Sequence, residues 1–244
     1  MKLRGTDIAM IGIMAALIVA AGYIPIIPIF GTGYTISLGS VLIQVVAVIL
    51  GPFLAMLTVL FGSFGGMVMT GQGLQLLFFL PATIGALTTA LLVFGRVREA
   101  LVVMGCSLLL WYLSPLGIEL WYYPYMMLAV FLMILALSPF IHGRSAWNDK
   151  YQYPLLIVFC SAGVLCDHLL GSMLAMFPPF ELPAEAYRFI LFIYPIERMV
   201  ISLVSATVAV PVLRALRSLY FPITGSEEEI HQDTMMEELS PSYD

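Results

Sequence analysis

Two long apolar runs near the end of the chain constrain its fold more than any other feature. Residues 152–177 and 187–217 are each longer than the about 20 residues that a helix needs to cross a bilayer, yet each contains an acid next to a base. An ionisable side chain in hydrocarbon costs about 2.5–3.5 kcal/mol and persists where another group compensates it. We therefore predict two neighbouring membrane helices that place their polar groups inside a bundle. These groups are Asp167 and His168 on the first helix, and Glu197 and Arg198 on the second.

Composition extends this prediction to the whole chain. Hydrophobic residues make up 61% of the 244 and charged residues only 10%, whereas a soluble domain carries about 25% charged residues. The formal charge of −5 arises from an acidic tail, residues 223–244, and the rest of the chain is slightly basic. The tail has too few apolar residues to fold and is predicted to be a disordered cytoplasmic segment. Residues 1–222 are predicted to form one all-α, polytopic transmembrane domain.

The apolar runs predict eight transmembrane helices. A loop rich in Pro and Gly, residues 26–37, separates the first two, and Gly51 with Pro52 makes a tight turn before the third. With this count the Lys and Arg residues of the loops fall on one side, except Arg188 at a helix edge, so the positive-inside rule places both termini in the cytoplasm of a cell. The predicted helices are residues 8–24, 38–50, 53–69, 74–95, 100–116, 124–141, 152–177 and 187–219.

The polar groups of the last two helices are predicted to lie at similar depth. At 1.5 Å per residue, Asp167 lies about 22 Å above the inner end of its helix and Glu197 about 15 Å below the outer end of the next. The chain therefore has a candidate binding set in the outer half of the membrane. This set is Gln44, Gln75, Asp167, His168, Tyr194, Glu197 and Arg198.

Two interpretations of the charged residues are open at this point. Asp167 could pair with Arg198, or His168 with Glu197, and the pairs would then only tie two helices together. Alternatively, the residues line a polar pocket that is open to the outside, because ionisable groups inside membrane helices commonly mark substrate pathways.

Aromatic residues cluster around the predicted outer loop between the fifth and sixth helices. The cluster is either an interfacial belt or a surface that stacks on a flat ligand. Its members are Trp111, Tyr112, Trp121, Tyr122, Tyr123 and Tyr125.

The motifs of common enzyme classes are absent from the sequence. It contains no HExxH, no GxSxG, no phosphate-binding GxxxxGK[ST] and no Cys/His cluster with metal-ligand spacing. We therefore predict a protein that is not an enzyme and has no cofactor or metal. Because the chain cannot encode an ATPase, energy for transport would come from a partner protein or an ion gradient. Nothing in the sequence predicts nucleic-acid binding.

The first helix carries a stripe of small residues, Gly12, Ala16 and Ala20, which lets another membrane helix approach closely. This stripe is followed by the Pro-rich outer loop, the segment TISLGSVLIQVVAVILGP and a glycine-rich third helix. In that order, these features resemble the substrate-binding (S) component of energy-coupling factor (ECF) transporters. The resemblance implies that the first outer loop covers a site for a vitamin-like micronutrient. It also implies that Gly12, Ala16 and Ala20 contact a transmembrane T component, which two ATPase subunits drive.

The resemblance covers about residues 7–95 and implies a six-helix core, so the eight predicted helices include an extra pair. The leading prediction is a membrane-embedded substrate-binding subunit of an ATP-driven micronutrient importer. The alternatives are an ion-coupled secondary transporter and an intramembrane enzyme that modifies a lipid.

Overall fold

The computed structural model describes residues 4–28, 35–69, 77–141, 152–178 and 180–220, of which residues 27, 28, 35, 36 and 216–220 are described by their backbone alone. Within these ranges the chain forms nine helices and two short strands. The helices are α1 (Gly5–Gly22), α2 (Leu38–Leu50), α3 (Pro52–Met69), α4 (Phe79–Val93), α5 (Val97–Leu113), α6 (Pro115–Glu119), α7 (Tyr125–Leu137), α8 (Gln152–Leu174) and α9 (Ala184–Tyr220), and the strands are β1 (Pro25–Pro28) and β2 (Thr35–Ser37).

The structure is a helical, membrane-embedded bundle, as the composition predicts. In the described part of the chain, four helices are long and apolar enough to cross a bilayer: α1, α3, α8 and the first 32 residues of α9. Helices α2, α4 and α7 are apolar but shorter. All eight predicted helices are present and α6 is an additional short one, whereas eight complete crossings remain a prediction.

Helix α2 has the predicted bounds because of the residues at its two ends. It begins where the Leu38 amide donates to the Ile24 carbonyl at 2.8 Å. It ends at Gly51, whose φ of 77° is open to glycine at little cost, and Pro52 then starts α3. Its 13 residues give a length of about 20 Å, less than the about 30 Å of the hydrocarbon core.

The predicted loop of residues 26–37 is partly ordered as strands, so the loop assignment was wrong at both of its ends. Strands β1 and β2 pair antiparallel, with Pro25 opposite Ser37 and Pro28 opposite Thr35. Residues 29–34 lie outside the described residues. We call the end of the bundle that carries this β-hairpin the hairpin end.

Helix α8 lies at the centre of the bundle and packs on α4, α5, α7 and α9. Its closest neighbour is α4, at the crossing of Gly85 with Gly163. A Cβ atom on Gly163 would lie 2.5 Å from the Gly85 carbonyl oxygen, and one on Gly85 would lie 2.6 Å from the Gly163 carbonyl oxygen. The two backbones therefore touch, which small residues permit in membrane helices.

We expect cysteine labelling to test the orientation of the bundle. In a Cys106→Ser background, whose remaining cysteines are buried, Ile118→Cys should react with an impermeant reagent added outside the cell. Ile118 lies in α6 and is 74% exposed, whereas Glu99 lies at the opposite end of α5. Glu99→Cys should react only after the membrane is permeabilised, because the positive-inside rule places that end in the cytoplasm. The reverse labelling pattern would contradict the orientation.

Candidate functional site

Asp167 and Arg198 form an ion pair between the middle of α8 and the upper part of α9. The Nη1 atom of Arg198 is 3.9 Å from Oδ2 of Asp167, so the two residues lie at the same depth, as the rise per residue predicts. The Asp167 Cβ packs against Gly85 of α4, which places this side chain inside the bundle. The Asp167 side chain is nevertheless 31% accessible to solvent, and the Arg198 side chain is 16% accessible. The Asp167 carboxylate therefore keeps accessible surface, and we call the region around it the space beside Asp167.

The alternative pairing, of His168 with Glu197, was wrong. The Nε2 atom of His168 is instead hydrogen-bonded to the Tyr123 hydroxyl at 3.0 Å. The His168 ring also stacks on Tyr194, with centroids 4.4 Å apart. His168 and Tyr194 of the predicted binding set are thus brought together, and each has a structural partner.

The predicted aromatic cluster divides into two groups with different surroundings. Trp111 and Tyr123 are fully buried and stacked at 4.7 Å, and the Tyr123 ring lies between Trp111 and His168. Trp121 is 67% exposed, and Tyr125 is also exposed, as expected of an interfacial belt. The flat-ligand interpretation fails for Tyr123, because protein rings already cover both of its faces.

Hydrogen bonds hold the buried aromatic group in place. The Tyr194 hydroxyl donates to the Tyr123 carbonyl at 2.9 Å, and the Tyr187 hydroxyl donates to the Ser172 carbonyl at 2.8 Å. The Ser172 and Tyr123 hydroxyls are hydrogen-bonded at 3.0 Å. This network ties α8 and α9 to the segment before α7 and makes a rigid wall beside the charged residues.

Glu197 has one carboxylate oxygen, Oε1, that is buried without a hydrogen-bond partner in the described part of the chain. Its side chain is 7% exposed, and among the described residues no donor lies within hydrogen-bond distance of Oε1. The Nε atom of Arg198 is likewise buried without an acceptor. Arg198 lies within electrostatic range of both Asp167 and Glu197. One cation therefore stands between two carboxylates, and each member of the Glu197–Arg198 pair has an unused polar atom.

Gln44 lies on the side of the charged residues away from the hairpin end, where it fills the α2–α4–α8 junction. Its Oε1 accepts from the Thr89 hydroxyl at 2.6 Å, and the same hydroxyl lies 3.1 Å from the Phe159 carbonyl. A Cβ on Gly163, one helical turn before Asp167, would come within 2.9 Å of the same Gln44 oxygen. The junction therefore closes the floor of the space beside Asp167. Gln75, the other predicted glutamine, lies outside the described residues.

The space opens from this floor towards the hairpin end. Gly171 follows Asp167 by one turn on the same face of α8, and a Cβ there would meet no atom of the described residues within 4 Å. Beyond it, Phe78 at the start of α4 contacts Phe180 in the α8–α9 connection, with ring centroids 5.1 Å apart. The Gly163–Asp167–Gly171 face is therefore closed at its base and open above Asp167.

The small-residue stripe of α1 lies on the outward face of that helix. Gly12, Ala16 and Ala20 are exposed, while Ala15 and Ile18 pack against Gly62 of α3. No atom lies within 4 Å of a Cβ placed on Gly12, as far as the described part of the chain extends. Within the described ranges, the stripe therefore lies on an exposed face of α1 and is available to another membrane helix.

Several residues that build the site lie outside the predicted binding set. Tyr123 joins α8 to α9, Ser172 and Tyr187 support it, and Thr89 holds Gln44. Polar residues inside apolar helices are the signal that could have identified Thr89 and Ser172, since such groups form hydrogen bonds across helices. Tyr123 lies among adjacent aromatic residues, so nothing distinguished it as the buried one.

The chain is similar to an uncharacterized protein of the archaeon Methanocaldococcus jannaschii. The two sequences are 28% identical over 131 residues, which cover 52% of this chain and 43% of the relative. The match thus spans less than half the length of that relative. No protein-family model matches the chain, and no solved structure matches it.

Proposed function

We propose that the protein is the membrane-embedded, substrate-binding subunit of an ATP-driven importer for a vitamin-like small molecule. The observation that carries this proposal is the buried Glu197 oxygen without a partner, beside an arginine with an unused Nε. A buried polar atom left unpaired costs about 1–3 kcal/mol, and more for a charged group. A ligand that supplies the missing hydrogen bonds removes this cost, so the site is suited to bind one.

The surroundings of Glu197 support a ligand site in preference to a structural tie. The pair between Asp167 and Arg198 is long at 3.9 Å, and Asp167 remains partly accessible. A Cβ on Gly171, one turn from Asp167 towards the hairpin end, would meet no described atom within 4 Å, which leaves room for a ligand beside the charged residues. Strands β1 and β2 lie at that end, where the resemblance to S components expects a lid over the ligand.

Energy for transport would come from partner subunits, a T component and two ATPase subunits, in the lipid bilayer of the cell membrane. The exposed stripe of Gly12, Ala16 and Ala20 supports a partner helix on α1. We therefore expect Ala16→Trp to abolish uptake while ligand binding stays near normal, because the indole would block close helix approach far from Glu197.

Co-purification tests this arrangement directly. Wild-type protein extracted from its native membrane should carry ATPase subunits, and Ala16→Trp protein should lose them. Leu17→Trp is the matched control, because Leu17 is a large exposed residue next to the stripe and its replacement should retain the partners. Wild-type protein that transports its substrate without any ATPase would contradict the proposal.

An ion-coupled secondary transporter is the second candidate, and it is favoured because the site has two carboxylates but one arginine. Asp167 and Glu197 share one arginine, so either acid could carry a proton through the membrane. Purified protein alone in liposomes separates the two functions. Uptake driven by a pH gradient without ATP would support the secondary transporter, and uptake that requires ATPase subunits would support the importer.

A further inference from the structure

We propose that the site takes a small organic cation, whose ammonium or amidinium group pairs with Glu197. This inference rests on the proposed binding function and names the chemical class of the ligand. The site contains two carboxylates, Asp167 and Glu197, and one guanidinium, Arg198. A ligand with a single positive charge would neutralise the excess carboxylate.

The position of Glu197 determines which group of the ligand it would hold. Its side chain is more than nine-tenths buried, and Oε1 lacks a donor among the described residues. The neighbouring Arg198 directs Nη1 towards Asp167. Among the described residues, Asp167 therefore has an ion-pair partner within 4 Å, whereas Oε1 of Glu197 has no donor, so a cationic donor fits at Glu197. Hydrogen bonds between an ionised donor and a carboxylate are about twice as strong as neutral ones.

The same contacts disfavour an anionic ligand. An anion at Arg198 would have to compete with Asp167 for the guanidinium and would lie near Glu197 as well, and like charges this close repel. The unused Nε of Arg198 can still donate one hydrogen bond to a neutral oxygen or ring nitrogen of the ligand. The ligand is therefore expected to combine one cationic group with a nearby acceptor.

An ammonium group could come from a soluble molecule or from the headgroup of an ethanolamine lipid. The Asp167 Cβ packs against Gly85 of α4 and its carboxylate meets Arg198 of α9, so the charged residues lie between helices, which favours a soluble molecule that enters from the hairpin end. To distinguish the lipid from the soluble source, the protein is tested in nanodiscs of phosphatidylglycerol alone and in nanodiscs that also contain phosphatidylethanolamine.

Three probes of matched size and different charge test the inference: cyclohexylmethylamine, cyclohexylmethanol and cyclohexanecarboxylate. In phosphatidylglycerol nanodiscs, the amine at ten times its Kd should raise the Tm by about 3–6 °C, while the alcohol and the carboxylate should have no effect. Glu197→Gln should weaken amine binding by about tenfold or more, because it removes the charge of the acceptor. Glu119→Gln is the control, since Glu119 is an exposed carboxylate paired with Arg188, and it should bind the amine as the wild type does.

Each outcome supports or overturns the cation assignment. Stabilisation by the carboxylate or the alcohol, or equal amine binding by Glu197→Gln, would overturn it. If none of the probes stabilises the protein, mass spectrometry of molecules retained through purification separates the two proposals. A retained anion or neutral molecule would overturn the cation assignment and leave the binding function standing, and no retained molecule would overturn both. An amine effect that vanishes when phosphatidylethanolamine is present would identify the lipid headgroup as the ligand and overturn the soluble source.

Discussion

Replacing Gly163 with alanine is expected to lower the Tm of the protein by about 4–24 °C. The new Cβ would overlap the Thr89 hydroxyl and lie 2.5 Å from the Gly85 carbonyl oxygen, so α4 and α8 would have to separate. Overpacking of this kind costs about 1–3 kcal/mol, and disturbing the buried Thr89–Gln44 hydrogen bond adds about 1–3 kcal/mol. For a domain of this size each kcal/mol changes the Tm by about 2–4 °C.

Gly171→Ala is the matched control for this prediction. Gly171 lies two turns further along the same face of α8, and a Cβ there meets no described atom within 4 Å. The control should therefore keep the wild-type Tm, measured by thermal unfolding in the same detergent. Equal effects of the two substitutions would contradict the close contact of α4 with α8.

Arg198→Met is expected to lower the Tm by about 10 °C. It leaves Asp167 and Glu197 as two carboxylates without a cation, and removing one partner of a buried ion pair costs about 3–5 kcal/mol. Adding Asp167→Asn and Glu197→Gln to this variant should recover most of the lost stability, because the charges that need compensation are then absent.

Arg188→Met on the same helix provides the comparison. Arg188 pairs with Glu119 at 2.8 Å, and both side chains are about half exposed, so its loss should cost at most about 1 kcal/mol. If Arg198→Met is as stable as Arg188→Met, Arg198 does not compensate the two acids.

The features that the sequence predicts well are those that depend on local signals. The bounds of α2 follow from Gly51 and Pro52, which end a helix wherever they occur in this order. The shared depth of Asp167 and Arg198 follows from the constant rise of a helix.

The features that the sequence does not predict depend on how each helix is rotated about its axis. Equal small-residue stripes on α1 and α8 have opposite surroundings: Ala16 is exposed, while Gly163 touches α4. From the sequence, His168 with Glu197 was as good a candidate pair as Asp167 with Arg198. In the structure, the turn before α7 brings Tyr123 to His168 instead. Such pairings depend on the relative positions of three helices, and the spacing of residues along one helix carries no information about these positions.

The most direct test of a ligand site at Glu197 is to measure, by native mass spectrometry, the small molecules that the purified protein retains. Wild-type protein released from its native membrane should carry one small molecule. Glu197→Gln should carry much less of it while keeping a wild-type Tm, because among the described residues Oε1 of Glu197 accepts no hydrogen bond that would be lost and Arg198 keeps its ion pair with Asp167. Wild-type protein without any retained molecule, or equal amounts in the two proteins, would contradict a binding site at Glu197.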